Sequence, residues 1–187
     1  MLIPREVIID PVTTDPKGEY GFLICKYASS CLKKRNMEFS SYISGFTDGE
    51  GCFSISFSKR SKFKVGIEVR PSFSLSQHER NLEVLKKIHN FFKVGSIRYS
   101  KRDSNFKYEV RSIKDLTTII IPYFEKNQLL TSKRHDFEIF SKVCKLIQKN
   151  EHLKSEKLND IIKMAYQMNK SGKRKYQHGE LLNFVTR

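Results

Sequence analysis

The sequence predicts an α+β fold in the order helix, two strands, helix, two strands, helices, and three features carry that reading. At Cys52 the apolar period changes from helical spacing to strict alternation. A second alternating pair recurs after one amphipathic helix, and beyond residue 115 only helical stripes remain. Alternation with one polar side is the mark of an antiparallel sheet that packs on one face.

In the first helix, Ser40 or Ser41 supplies an N-cap, and Tyr42, Ile43 and Phe46 fit one helical face. Gly45 lies where another backbone can come close, and Gly49 and Gly51 end the helix. From Cys52, Phe53, Ile55 and Phe57 alternate with Ser54, Ser56 and Ser58 before Lys59-Arg60. The second strand, Gly66 to Gln77, alternates Ile67, Val69, Phe73 and Leu75 with Glu68, Arg70, Ser72, Ser74 and Ser76. A helix from about Arg80 to Phe92 carries Leu82, Leu85 and Ile88 on one stripe. Strands over Gly95 to Ser100 and Phe106 to Ser112 put Arg98, Lys107, Glu109 and Arg111 at polar positions, joined through Lys101-Arg102. Helices follow over Asp115 to Phe124, with Pro122 near its end, over Ser132 to Lys149, and over about Glu156 to Asn169. Lys170 to Lys175 reads as a basic linker and Gly179 to Arg187 as a last short helix.

This division gives an N-terminal arm over 1–36, a folded domain over 37–170 and a basic C-terminal tail over 171–187. The acids Glu6, Asp10 and Asp15 argue against a cleaved organellar transit peptide in the arm. At 187 residues the chain is long enough to bury a real core. No run of 18 apolar residues exists, which argues against a membrane partner. Cys25, Cys31, Cys52 and Cys144 have neither zinc-ligand spacing nor disulfide-scaffold density, so they read as reduced and mostly packed. The five histidines form no metal or nucleophile pattern.

Charge is local. The formal net charge is +15, and counting along the chain places −1 in residues 1–51, +9 in 52–112, 0 in 113–132 and +7 in 133–187. Two basic blocks imply a polyanionic partner, nucleic acid before membrane, although ribosomal proteins share the profile. The larger block coincides with the strands. Their serine-rich polar sides suit reading base edges in a major groove wide enough for a β-ribbon, and they equally fit an ordinary wet sheet face.

Residues 43–51 are the most informative stretch: an apolar helical turn running into Asp48-Gly49-Glu50-Gly51. The last helical turn leaves carbonyls without intrahelical partners at the negative end of the dipole, and Glu50 brings a carboxylate to them. Such a cluster can hold Mg²⁺, whose remaining shell is water and phosphate oxygen. The same residues also fit a C-capped helix end with two solvated acids.

Here the chain resembles the LAGLIDADG homing endonuclease family. Ile43 to Gly51 matches its nine-residue signature at the spaced glycines and final acid, with Ile43, Ser44, Phe46 and Thr47 as conservative departures. The likeness extends to Ser76-Gln77-His78, to Val94-Gly95-Ser96-Ile97-Arg98 and to Leu130-Thr131-Ser132-Lys133-Arg134, covering roughly Glu38 to Asn150.

The resemblance implies an αββαββα module with a saddle-shaped antiparallel sheet over double-stranded DNA, followed by additional C-terminal helices. One signature copy supplies one acid and half a saddle. A homodimer joined through Ile43, Gly45 and Phe46 is therefore expected, with a roughly palindromic target. The implied activity is site-specific, Mg²⁺-dependent double-strand cleavage by an intron-encoded enzyme that promotes intron mobility, with two or three metal ions per dimer. Glu50, in place of the usual aspartate, and the Gly49 carbonyl would hold the metal. Gln77 would organise the active-site water, and Lys133 would stand near the scissile phosphate. Gln77 as a cap of the next helix and Lys133 as a surface ion-pair partner are the plainer alternatives. Asn81, with Arg80 beside it, stands where the family often has another basic residue.

Expected DNA contacts are Ser54, Ser56, Ser58, Arg60, Arg70, Ser72, Ser74, Arg98, Lys107 and Glu109. A strand covering ~30 Å spans roughly nine base pairs per half-site. The family also implies an organellar setting, mitochondrion or chloroplast. Two other classes share the scaffold: an intron maturase that binds structured RNA, and a DNA-binding regulator with an inactive site.

Overall fold

The computed structural model describes residues 38–60, 65–169 and 174–185. The expected N-terminal arm, with Cys25 and Cys31, lies outside the described residues, as do the first four residues of the expected linker at Lys170.

Helix α1 covers 38–50 and passes without a loop into β1, Gly51–Lys59. Gly51 makes that junction possible: a Cβ there would come within 2.5 Å of Thr47 Cγ2 and 2.6 Å of the Thr47 carbonyl oxygen. β2, Ile67–His78, pairs antiparallel with β1 from Lys59↔Ile67 to Gly51↔Leu75. Helix α2, Leu82–Phe92, buries Leu85, Ile88 and Phe92 and ends on Lys93 in a left-handed conformation. Gly95 follows at φ +84°, where a Cβ would meet the Glu109 carbonyl oxygen at 2.6 Å. β3, Ser96–Ser100, and β4, Asn105–Val110, complete an antiparallel sheet of order β1-β2-β4-β3. β4 pairs β2 only over Phe73–His78, so Pro71 sits where β1 is its single neighbour and a missing N–H is tolerated.

The helix expected from Asp115 to Phe124 is longer and wound in three stretches: α3, Ile113–Asp115, a π-turn over Leu116–Ile120, and α4, Ile121–Lys126. Pro122 explains the wide turn, because it has no N–H to offer the preceding turn. The hydroxyls of Thr117 and Thr118 donate to the Ile113 and Lys114 carbonyls at 2.8 Å each. Helices α5, Lys133–Gln148, and α6, Ser155–Tyr166, agree closely with expectation, separated by a 3₁₀ turn over Glu151–Leu153. α7, His178–Val185, meets the β1–β2 hairpin through the Lys59–Glu180 ion pair and the ring of Phe184 at Gly66.

Helices cover one face of the sheet. Phe53 is the hub, its ring 5.1–5.4 Å from those of Phe73, Phe124, Phe137 and Phe140. Leu75, Leu85, Ile88, Tyr108 and Leu116 are likewise fully buried. Burial of aromatic surface of this extent is the main source of stability here. No described helix is long and apolar enough to cross a membrane.

Candidate functional site

The other face of the sheet is the polar one, and the register lays it out as rows. Ser58 faces Glu68, Ser56 faces Arg70 and Ser54 faces Ser72. A four-strand row then runs Cys52, Ser74, Glu109, Ser96, and the next Ser76, Lys107, Arg98. All ten residues expected to contact DNA belong to this face or its margin.

They are not equally available. Ser56, Arg60, Arg98 and Lys107 are exposed, and Ser54, Ser58 and Arg70 are half-buried. Ser72, Ser74 and Glu109, expected as readers, are instead buried, with Glu109 only 6% exposed. The short serines lie low among longer neighbours, and the Ser54 and Ser72 hydroxyls bond each other at 2.9 Å. Glu109 pairs along its own strand: Lys107 Nζ lies 3.3 Å and Arg111 Nε 2.9 Å from its carboxylate. Desolvation works against its ionisation, but Lys107 and Arg111 outweigh that and hold its pKa below the ordinary value. Glu68 is depressed chiefly by the hydrogen bond from Arg70, with Arg60 adding to it, so both arginines arrive already paired.

At one end of this face the C-terminus of α1 meets the start of α5. Asp48 Oδ2 accepts from the Leu130 N–H at 2.8 Å, and Oδ1 from the Thr131 hydroxyl and N–H at 2.7 and 3.2 Å. In return Lys133 Nζ donates to the carbonyl oxygens of Asp48 and Gly49, both at 2.9 Å. The result is a reciprocal clasp in which each element satisfies the other's orphan backbone groups. Partial desolvation opposes ionisation of Asp48; the Leu130 and Thr131 donors and the Lys133 charge overcome it and lower its pKa. Asp48 is thus bonded to a distant loop at the helix end and is not simply a solvated acid. Its partner loop was visible in sequence only as the landmark Leu130 to Arg134.

Glu50 is exposed at the same end. β1 starts at Gly51 opposite Leu75, so Gln77, two residues further along β2, terminates on that side too. Gln77 Oε1 accepts from Asn81 Nδ2 at 2.9 Å, a bond between side chains, while the turn that follows is capped by His78, whose Nδ1 accepts from the Arg80 N–H at 3.3 Å. The thiol of Cys52, raised chiefly by desolvation, also senses Lys107, Lys133 and Asp136, which places those charges around the Glu50 end of the sheet. Among the described residues no three His, Cys, Asp or Glu side chains gather into a cation cage. The donor set is nevertheless a hard one: a carboxylate adjoining main-chain carbonyls that already hold an ammonium group. It fits a small divalent cation that completes its shell with water and phosphate.

The two sides of α1 differ. Ile43, expected at a dimer seam, is 0% exposed and belongs to the protomer's own core, together with Ser44 and Thr47. The Ser44 hydroxyl donates to the Asn127 carbonyl at 3.1 Å, tying this side to the end of α4. Tyr42 and Phe46 stack on the open side, their rings 5.7 Å apart, alongside the exposed Gly45 and Gly49. A Cβ at either glycine would meet nothing within 4 Å. Leu130, beside the clasp, is 92% exposed.

Comparison with known proteins agrees with this architecture. A "Probable intron-encoded endonuclease 2" of Neurospora crassa is 35% identical over 130 residues, 69% of this chain and 29% of that protein. The chain thus spans less than a third of that relative. Among solved structures, the homing endonuclease I-TnaI superposes with TM-score 0.69 at 31% identity, covering 79% of this chain and 95% of that one. I-SmaMI, solved with an uncleaved DNA target and calcium ions, gives TM-score 0.71 at 34% identity, covering 79% of this chain and 49% of that one. The profile described as LAGLIDADG endonuclease matches residues 43–144, more than half the chain and the whole of the sheet with its signature helix, and the protein belongs to that family.

Proposed function

We propose that the protein is a site-specific endodeoxyribonuclease that hydrolyses both strands of a long DNA target, encoded within an intron and acting in a mitochondrion or chloroplast. The observation that carries this reading is the seating of Lys133 on the Gly49 carbonyl, next in the chain to the exposed Glu50, at the end of a polar, basic sheet face. The "intron-encoded" relative and the DNA-bound neighbour support the setting and the substrate.

The family is generally metal-dependent, and Mg²⁺ is the proposed ion. Glu50 and the Gly49 carbonyl would hold it, and when bound it supplies Lewis-acid activation of water and charge neutralisation at the phosphate. The chain's own groups do the rest. Gln77 offers an amide that can accept from one proton and donate to one oxygen of a positioned water. The ammonium of Lys133 stabilises charge developing on the phosphate oxygens. Lys107, Arg98, Arg111 and Arg70 line the sheet for the duplex, with phosphate contacts setting register and the exposed Ser56 open to base edges.

A single Glu50 serves one strand, so a second copy of the module is required. A homodimer through the open side of α1 is the proposed arrangement. Gly45 and Gly49 lack side chains where their own protomer leaves space empty, as a close-packed helix pair would need. The near-complete match to I-TnaI and the half-length match to I-SmaMI accord with a module that can form a chain once or share one.

Glu50→Gln tests the reading. DNA cleavage with Mg²⁺ is expected to fall at least ~10³-fold, the scale of losing a principal electrostatic group at a hydrolytic centre. Affinity for the same duplex, measured by gel shift in Ca²⁺, is expected to stay within about threefold, since the sheet is untouched. Cutting at the wild-type rate would discard Glu50 as metal ligand.

A further inference from the structure

Lys133 occupies the carbonyl that the proposed metal needs. Its ammonium donates to the Gly49 and Asp48 oxygens at 2.9 Å, at the negative end of α1, while the Asp48 carboxylate holds the loop that delivers it. An ammonium has three donors, and two are committed here. The arrangement already neutralises the helix terminus with a cation, using no ion from solution.

From this geometry we infer that Lys133 is a resident cation that a divalent metal displaces: ammonium and metal compete for the Gly49 carbonyl, and loading the metal releases Lys133 toward the phosphate. The inference rests on the reading that Glu50 and Gly49 bind the metal, and it adds an order of events to it. Two cations held within a few ångströms on one carbonyl repel each other at a protein surface. The oxygen therefore favours one occupant at a time. Lys133 can yield without losing its place in the site, because Asp48 grips the backbone of Leu130 and Thr131 rather than the lysine side chain. The long flexible stem of a lysine permits such a swing, which a rigid guanidinium would resist. Before metal arrives, the exchange keeps the terminus of α1 capped. After it, a mobile ammonium stands beside the reacting group.

The test is Mn²⁺ binding to the full chain, followed by electron paramagnetic resonance without DNA. Lys133→Met is expected to bind Mn²⁺ about tenfold more tightly than wild type. Arg134→Met, which removes the charge next to Lys133 in the chain, an exposed group paired with Glu138, should change binding no more than about twofold. Equal or weaker binding by Lys133→Met overturns the displacement. Wild-type protein gives a second measurement that needs no variant to fold: acetylation of Lys133 by a limiting acylating reagent, read by mass spectrometry, should rise several-fold when Ca²⁺ is added. Unchanged or falling acetylation overturns the inference equally. Glu50→Gln separates the two layers. If it binds Mn²⁺ as wild type does, the metal site itself is misplaced and displacement falls with it; if it binds weakly while Lys133→Met matches wild type, displacement alone is wrong.

Discussion

The two faces of the four-stranded sheet are made from alternate residues of the same strands, yet they are held in different ways. The covered face is a contiguous aromatic core centred on Phe53 and Phe73, where each ring gains from close packing and from exclusion of water. The open face is lined by serines and charged side chains. Its order comes from polar pairs, two of them across strands, Ser54 with Ser72 and Ser56 with the Arg70 carbonyl, and one along β4, where Glu109 holds Lys107 and Arg111 two residues to either side. The difference teaches that strand parity separates the packed core from the charged surface, which is the surface the proposed function uses. Apolar side chains that hold the fold point one way, and the polar and cationic ones point the other. Glu109 is the exception that joins the two tasks, a buried acid whose charge orients two cations for the open side.

Substitutions can break or sharpen that separation. The largest effect is expected from Phe53→Ala, which should lower unfolding free energy by ~3–5 kcal/mol in urea denaturation, because four neighbouring rings lose their common partner. A loss under about 1 kcal/mol would mean that the core is not centred there. Next is Glu109→Gln, expected to cost roughly 1–2 kcal/mol at neutral pH by removing the anion between two bonded cations. Its pH dependence has a definite sign. The folded pKa lies below the ordinary 4.5, so the contribution is present above about pH 4.5 and disappears as pH falls through the lower folded value. The difference between wild type and Glu109→Gln should therefore shrink below pH 4.5 and stay flat from 5 to 8. Arg70→Ala comes third: the thermal midpoint should stay close to that of wild type, since its pair with Glu68 is largely solvated. The salt dependence of DNA binding should lose about one unit of slope if Arg70 meets a phosphate. Smallest is Ser56→Ala, expected within ~0.5 kcal/mol in thermal unfolding, while tolerance to base changes in the target widens by one position. An equal loss of stability at Ser56 and Phe53 would dissolve the distinction between the faces.

How much of this was legible follows from the range of the interactions. Alternation from Cys52 to Ser58 and from Ile67 to Ser76 is a local signal, and both strands lie where it puts them. The same holds for α2, α5 and α6, whose stripes repeat every three or four residues. Pro122 announced a disturbance, but whether it ends a helix or widens one turn depends on the hydroxyls of Thr117 and Thr118 finding carbonyls to bond. Burial was less readable. Ile43 and Phe46 share an apolar stripe in sequence, yet one enters the core and the other borders an open side.

What the amino-acid order settled alone is the element sequence, the polar and apolar sides of each strand, the basic character of the strand block and the acid that closes the signature helix. These depend on neighbours a few residues apart, through backbone periodicity and side-chain solvation. Tertiary structure alone decided that Lys133, 84 residues from Gly49, seats its ammonium on that carbonyl, and that Asp48 holds the loop at Leu130 and Thr131. Each of those contacts joins groups that only folding makes neighbours, and no local pattern encodes a hydrogen bond whose partner lies on another element.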